Sequence, residues 1–390
     1  MKRALDLAAL LLLAACSVSR ELPSPERLQQ LASREAEVVL AQEQEWLNMA
    51  KARLLSEIDR AGAGAPAVTL DCLVLSGGGQ HGAFGAGFLK GWGEVREPEA
   101  SRPEFDMVSG VSTGSLIAPF ALLGGAQIDR VDQLYRSLPD DAAVGRGFIS
   151  IAFRRKSLLD ISGLQEILVR EIDDALAGGV AGARRDQNRL LLVGTTNLDL
   201  ARMRMWDVGE EVARAAEGGT ARMRTILLAS CSIPAAFPPI EIDGCLHVDG
   251  GASEQLFGIA RAEPFVALIQ EVQRLRPNAK TPRVRQWTIV NGKLDLDPKG
   301  TPIDWPSVAG RSISQMTYSM TWSALHRQRL ASDLINAALP GACEFRFVAI
   351  PQDFQSPTGE TIFEPAYMRA LADLGEKMGR DPASWRTKVR

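Results

Sequence analysis

From residue 69 onward, short apolar, β-branched runs alternate with longer stretches of helical periodicity. Residues 69–75 form the first strand-like run, ending in glycines and followed by a helix-like stretch to Trp92. A second strand is predicted over 105–109 and a helix over 115–123. Further strands are expected at 189–195, 203–207, 245–248, 286–290 and 344–350, and helices at 164–177, 263–275, 308–338 and 366–377. Strands alternating with helices predict an α/β domain, a three-layer sandwich whose largely parallel central sheet is covered on both faces. The Gly-rich stretch 177–185 reads as a surface loop.

Upstream, residues 26–60 are rich in Glu, Gln, Ala, Leu and Arg without Gly or Pro, which predicts a helix. Leu40, Leu47 and Leu54 recur every seven residues and suggest one apolar stripe, on a helix packed against the domain or bridging it to a membrane. Residues 61–67 (AGAGAPA) read as a linker. The start, MKRALDLAALLLLAAC, pairs Lys2 and Arg3 with an apolar run too short to span a bilayer, which needs about 20 residues. That is the pattern of an export signal. Leu13-Ala14-Ala15-Cys16 resembles the bacterial lipobox, so Cys16 is expected to be lipidated, and Ser17 after it favours the outer membrane. The expected division is a signal peptide over 1–15, a lipidated tether and helix over 16–67, a catalytic domain over 68–351, and a C-terminal loop and helix over 352–390.

Composition narrows the chemistry. Hydrophobic residues make up 46% and charged residues 23%, enough to build a core and to exclude disorder of the whole chain. A net charge of −3 without a basic block argues against nucleic-acid binding. There are three histidines (His81, His247, His326) and no HExxH or CxxC, so no metal is called for, and once the segments below are weighed together no motif calls for an organic cofactor. The chemistry falls to hydroxyls, carboxylates and backbone amides. Cys72, Cys231, Cys245 and Cys343 allow three full disulfide pairings, and Cys72 and Cys245 sit in apolar runs where buried thiols are equally expected.

Three segments carry chemistry. Ser76-Gly77-Gly78-Gly79-Gln80-His81-Gly82 leads from a strand into a helix, aiming several N–H groups at one point. Gly77, Gly79 and Gly82 also satisfy GxGxxG, so dinucleotide binding competes, as does a plain helix-start turn. Gly110-Val111-Ser112-Thr113-Gly114 is a GxSxG between a strand and a helix, where a sharp turn would expose the serine hydroxyl as a nucleophile. His247-Val248-Asp249-Gly250-Gly251 ends a strand in a carboxylate, which would serve as a base or be an ordinary turn.

In this order the three segments resemble the patatin-like phospholipase family. The stretch Ala229-Ser230-Cys231-Ser232-Ile233-Pro234-Ala235-Ala236-Phe237-Pro238-Pro239 is similar to that family's segment before its catalytic aspartate, and Thr195-Thr196-Asn197-Leu198 to its central strand end. The resemblance covers about residues 68–351. It implies an α/β-hydrolase-related fold with a Ser–Asp dyad: Ser112 as nucleophile, Asp249 as base, and the N–H groups of Gly77, Gly78 and Gly79 as oxyanion hole. His81 stands where many members have arginine. His247, two residues before Asp249, reads as structural, and His326 as a packing or surface residue. The implied activity is hydrolysis of acyl esters of membrane (phospho)lipids by an envelope lipoprotein. A carboxylesterase of small esters and a non-catalytic envelope lipoprotein are the alternatives. Clustered apolar and basic residues over 142–155 fit an ordinary amphipathic core segment or, alternatively, a membrane-facing loop.

Overall fold

The computed structural model describes residues 20–62, 64–137, 162–234, 236–259, 261–355 and 364–389. The expected signal peptide, Cys16 and the 142–155 loop lie outside the described residues. One eight-stranded sheet organises the chain. β1 (Thr69–Leu75) lies at its centre, parallel to β2 (Met107–Val111) and β7 (Arg283–Val290). β3 (Leu190–Asn197) runs parallel to β2, and β8 (Cys343–Ala349) parallel to β7. β4 (Arg202–Asp207) and β6 (Cys245–Asp249) pair antiparallel with β3, and the three-residue β5 (Ile240–Ile242) with β6. The sheet is mixed but mostly parallel, as the alternation of strands and helices predicts.

Both faces of the sheet are buried, which is why its strands read as near-continuous apolar runs. Leu73, Leu75, Val108, Leu191, Val193, Trp287 and Ile289 face one core. It is covered by α2 (Gly82–Trp92), α3 (Thr113–Leu123), α4 (Ala126–Arg136), α5 (Ser162–Glu171), α6 (Asp174–Gln187), α7 (Val208–Arg214) and α8 (Gly219–Ser230). Residues of opposite parity, such as Leu70, Cys72 and Val284, face α1 (Pro25–Ala61) and α9 (Ala262–Leu275), with α10 (Trp305–Ala338) beside them.

Three expectations are corrected. Residues 177–185 are not a loop but lie within α6. Asp173 caps that helix by accepting from the Leu176 N–H at 2.8 Å, and Leu176, Ala177, Val180 and Ala183 are buried. Its Gly179 is kept by contact, since a Cβ there would lie 2.8 Å from Leu123. The same cap splits the single helix expected over 164–177 into α5 and α6. On α1 the leucine stripe does not hold: Leu54 is fully buried, whereas Leu40 is 68% exposed. A seven-residue repeat drifts by about 20° per heptad on a straight helix, and here the N-terminal half meets the domain through polar contacts instead. Arg204 donates to Gln42 Oε1 at 3.0 Å and pairs with Glu35 at 3.4 Å.

The C-terminal helix α11 (Pro365–Gly379) packs unusually close to α2. A Cβ on Gly87 or Gly91 would lie 2.1 or 2.0 Å from the carbonyls of Ala372 and Glu376, and one on Gly375 or Gly379 would lie 2.1 or 2.2 Å from those of Phe84 and Phe88. The paired glycines bring the two backbones together and hold α2, and the turn before it, in place. Trp385 then closes the end of this core against Trp92 and Trp287, with ring centroids 4.8 and 4.9 Å away. Gly375→Val is expected to cost about 3 kcal/mol, at the upper end of overpacking, as a lowered urea midpoint. Gly310→Ala, where nothing lies within 4 Å, should cause no loss.

Candidate active site

Strand register creates the site. Leu192, Val193 and Gly194 of β3 pair with both β2 and β4, so these two strands flank β3 on opposite edges. Thr195, Thr196 and Asn197 pair with both β4 and β6, so β6 lies on the same edge as β2. β2 and β6 therefore lie in line and run toward each other. Val111 stands opposite Gly194 and Asp249 opposite Thr195, so Ser112 follows β2 where β6 ends. Because β6 is antiparallel to β3, the aspartate reaches the serine from the opposite direction rather than from a neighbouring parallel strand tip.

Ser112 adopts φ 53°, ψ −128°, the backbone of a nucleophile elbow, at a cost of about 1–3 kcal/mol. Its neighbours allow the turn. A Cβ on Gly110 would lie 2.4 Å from the Gly114 carbonyl, and one on Gly114 would lie 2.5 Å from that of Leu75. The Ser112 N–H donates to Ser230 Oγ at 3.0 Å, and Ser230 Oγ donates to the Gly194 carbonyl at 2.7 Å. Ser230 thus ties the elbow to β3. Ser115 Oγ donates to the Ser112 carbonyl at 2.7 Å.

Asp249 is buried beside Ser112 and accepts from the Gly251 N–H at 2.7 Å. Burial pushes its carboxyl up to about 6, against the pull of the neighbouring Ser112 hydroxyl and the Gly251 N–H. The histidines are occupied elsewhere. His247 Nδ1 meets Thr195 Oγ1 at 2.9 Å, and burial lowers its imidazole to about 4. His81 Nε2 meets the Tyr367 hydroxyl at 3.1 Å and is likewise lowered by burial. His326 is exposed on α10 with Nδ1 2.8 Å from the Trp322 carbonyl.

The glycine-rich turn passes directly over the serine. A Cβ on Gly77 would lie 3.2 Å from Ser112 Cβ and 2.9 Å from Gln255 Oε1. Gly78 (φ 153°) sits against the Asn291 carbonyl, which a Cβ would approach to 2.0 Å, while Gly79 (φ 55°) is open. Asn291, just beyond β7, pins the turn: its N–H donates to Ser76 Oγ at 2.7 Å and its Nδ2 to the Ser76 carbonyl at 2.9 Å. Gly82 is explained without a dinucleotide, since a Cβ there would lie 2.1 Å from Thr113 Oγ1. Asn291, Ser230 and Gln255 escaped the sequence reading. Ser230 stood within the quoted 229–239 segment, and an Asn-Gly ending a strand was the sign for Asn291. Cys72, Cys231, Cys245 and Cys343 are free and buried. Among the described residues no His, Cys, Asp or Glu cluster has the makings of a metal site.

Residues 73–257 match the family model of the patatin-like phospholipases. This segment is a patatin-like phospholipase domain. The match takes in the glycine-rich turn, the serine elbow and Asp249. A search of curated proteins found no match. Among solved structures, VipD from Legionella pneumophila is similar at a TM-score of 0.35 and 14% identity, over 83% of this chain and 68% of that one, too slight a likeness to argue from.

Asn291 lies outside the matched segment yet fixes the turn within it. Asn291→Ala is expected to lower kcat for a chromogenic ester by about 100-fold, the scale of one lost oxyanion donor, with KM little changed. Steady-state kinetics beside a urea melt checks this.

Proposed function

We propose that this chain is a lipid acyl hydrolase in which Ser112 is the nucleophile and Asp249 its base. The observation that carries the reading is the strand register that brings Ser112, on its elbow, beside the buried Asp249, whose carboxyl burial raises to about 6, ionised at neutral pH yet basic enough to take a proton. Ser112 Oγ attacks the ester carbonyl while its proton passes to Asp249. The tetrahedral oxyanion is held by N–H groups of the Gly77–Gly79 turn. Collapse releases the alcohol, which takes up the proton, and leaves an acyl-serine. Water, activated by the same carboxylate, then frees the fatty acid and restores the serine. The Ser112 N–H is already engaged by Ser230, so the turn is the natural source of oxyanion donors.

The substrate we propose is a membrane phospholipid. The lipobox-like Leu13–Cys16 sequence supports an anchor through Cys16 in the bacterial envelope, at the outer membrane, which would hold the site beside its substrate.

The buried carboxylate sets the pH dependence. Fatty-acid release from phospholipid vesicles should rise with pH through an apparent pKa of about 6 and level off above 7. Asp249→Asn should lower turnover about 10,000-fold while stabilising the fold. Between the unfolded value of 3.8 and about 6, the unfolded chain has lost this proton while the folded chain keeps it. Wild-type stability therefore falls as pH rises through that window, and the full cost remains above it. The asparagine variant should be about 1–3 kcal/mol more stable at pH 8, with no advantage below pH 4. A flat rate between pH 5 and 8, or a variant destabilised at pH 8, would count against Asp249 as the buried base.

A further inference from the structure

A cavity of about 290 Å3 lies between α1, α9 and the sheet, with neither Ser112 nor Asp249 in its lining. Its floor is Leu70, Met107 and Leu192, its roof Trp46 and Ala50 of α1, and its far wall Phe257 and Phe265. The sheet residues come from the face opposite to that covered by α2 and α3. The Arg53–Asp106 ion pair stands at one end. At the rim, Arg261 is exposed and, among the described residues, is paired only with Glu43, at 4.0 Å, while Glu254, also on the wall, is paired with Arg327 outside the lining.

α1, which roofs the cavity, lies outside the residues that match the family. An apolar slot with a loosely held cation at its mouth is complementary to one long chain ending in an anion. Its volume lies just below the range of ordinary small-molecule sites, which begins at about 300 Å3, and suits a single chain better than a two-chain lipid.

We infer that this cavity binds one long-chain fatty acid, its tail between α1 and the sheet and its carboxylate at Arg261. The choice of a fatty acid rests on the proposed function, of which it is the product. The wall residues Glu254 and Phe257 belong to the segment that follows Asp249, and Gln255 between them donates to the Gly251 carbonyl at 3.0 Å. A bound chain would therefore touch the segment that holds the carboxylate.

Trp46 provides the readout. Dibromostearate titrated into the full chain carrying Ser112→Ala should quench tryptophan fluorescence saturably. Trp46→Phe should remove most of that quenching, Ala50→Trp should abolish saturable binding by filling the slot, and Arg261→Glu should weaken it about threefold, the scale of a surface ion pair. Arg261 is exposed, so its variant should fold even where Ala50→Trp does not. No saturable quenching, or quenching that survives both Trp46→Phe and Arg261→Glu, overturns the inference. Because the test uses an inactive serine variant, the two readings fail separately. Wild-type hydrolysis without quenching removes the cavity site alone, and quenching without hydrolysis removes the proposed function alone.

Discussion

The candidate site depends on one register constraint: β2 and β6 share an edge of β3 and meet end to end. Backbone pairing places Val111 opposite Gly194 and Asp249 opposite Thr195, and the two side chains follow from that. A slip of one residue in either strand would turn its side chains to the other face and separate serine from carboxylate. Much of the surrounding detail secures this junction. Ser230 bridges the elbow to Gly194, and Thr196 Oγ1 donates to the Asp249 carbonyl at 2.9 Å. Gly250 lets the chain pass against the Gly194 carbonyl, which a Cβ would approach to 2.4 Å.

The arrangement is costly. Raising a carboxyl from 3.8 to about 6 corresponds to about 3 kcal/mol against the charged form, and the elbow of Ser112 adds about 1–3 kcal/mol. Together these approach the net stability of many domains, roughly 5–15 kcal/mol. The sheet, buried on both faces, and the close packing of α2 on α11 offset them. Both costs fall on the two residues to which the proposed chemistry is assigned. In the proposed dyad a buried carboxylate stands in place of a histidine, and His81 and His247 are turned to Tyr367 and Thr195.

Much of this was legible in the sequence, because the decisive features are local. Gly-x-Ser-x-Gly encodes an elbow, a glycine run encodes a close backbone approach, and apolar runs encode buried strands. What escaped depends on distant partners. Asn291 is recognisable only once β7 lies beside β1, and the antiparallel course of β6 is carried by pairing alone. The helix over 174–187 was misread because its glycines look like loop residues until Leu123 is seen against Gly179. Leu40 and Leu54 look equivalent in sequence, but only Leu54 lies over the sheet.

The most direct test of the central claim is fluorophosphonate labelling of the folded chain, with the modified residue mapped by peptide mass spectrometry. The dyad account predicts one adduct, on Ser112, formed faster as pH rises through about 6 and nearly absent in Asp249→Asn. Labelling of another serine, or labelling of Ser112 at an undiminished rate in that variant, would contradict it.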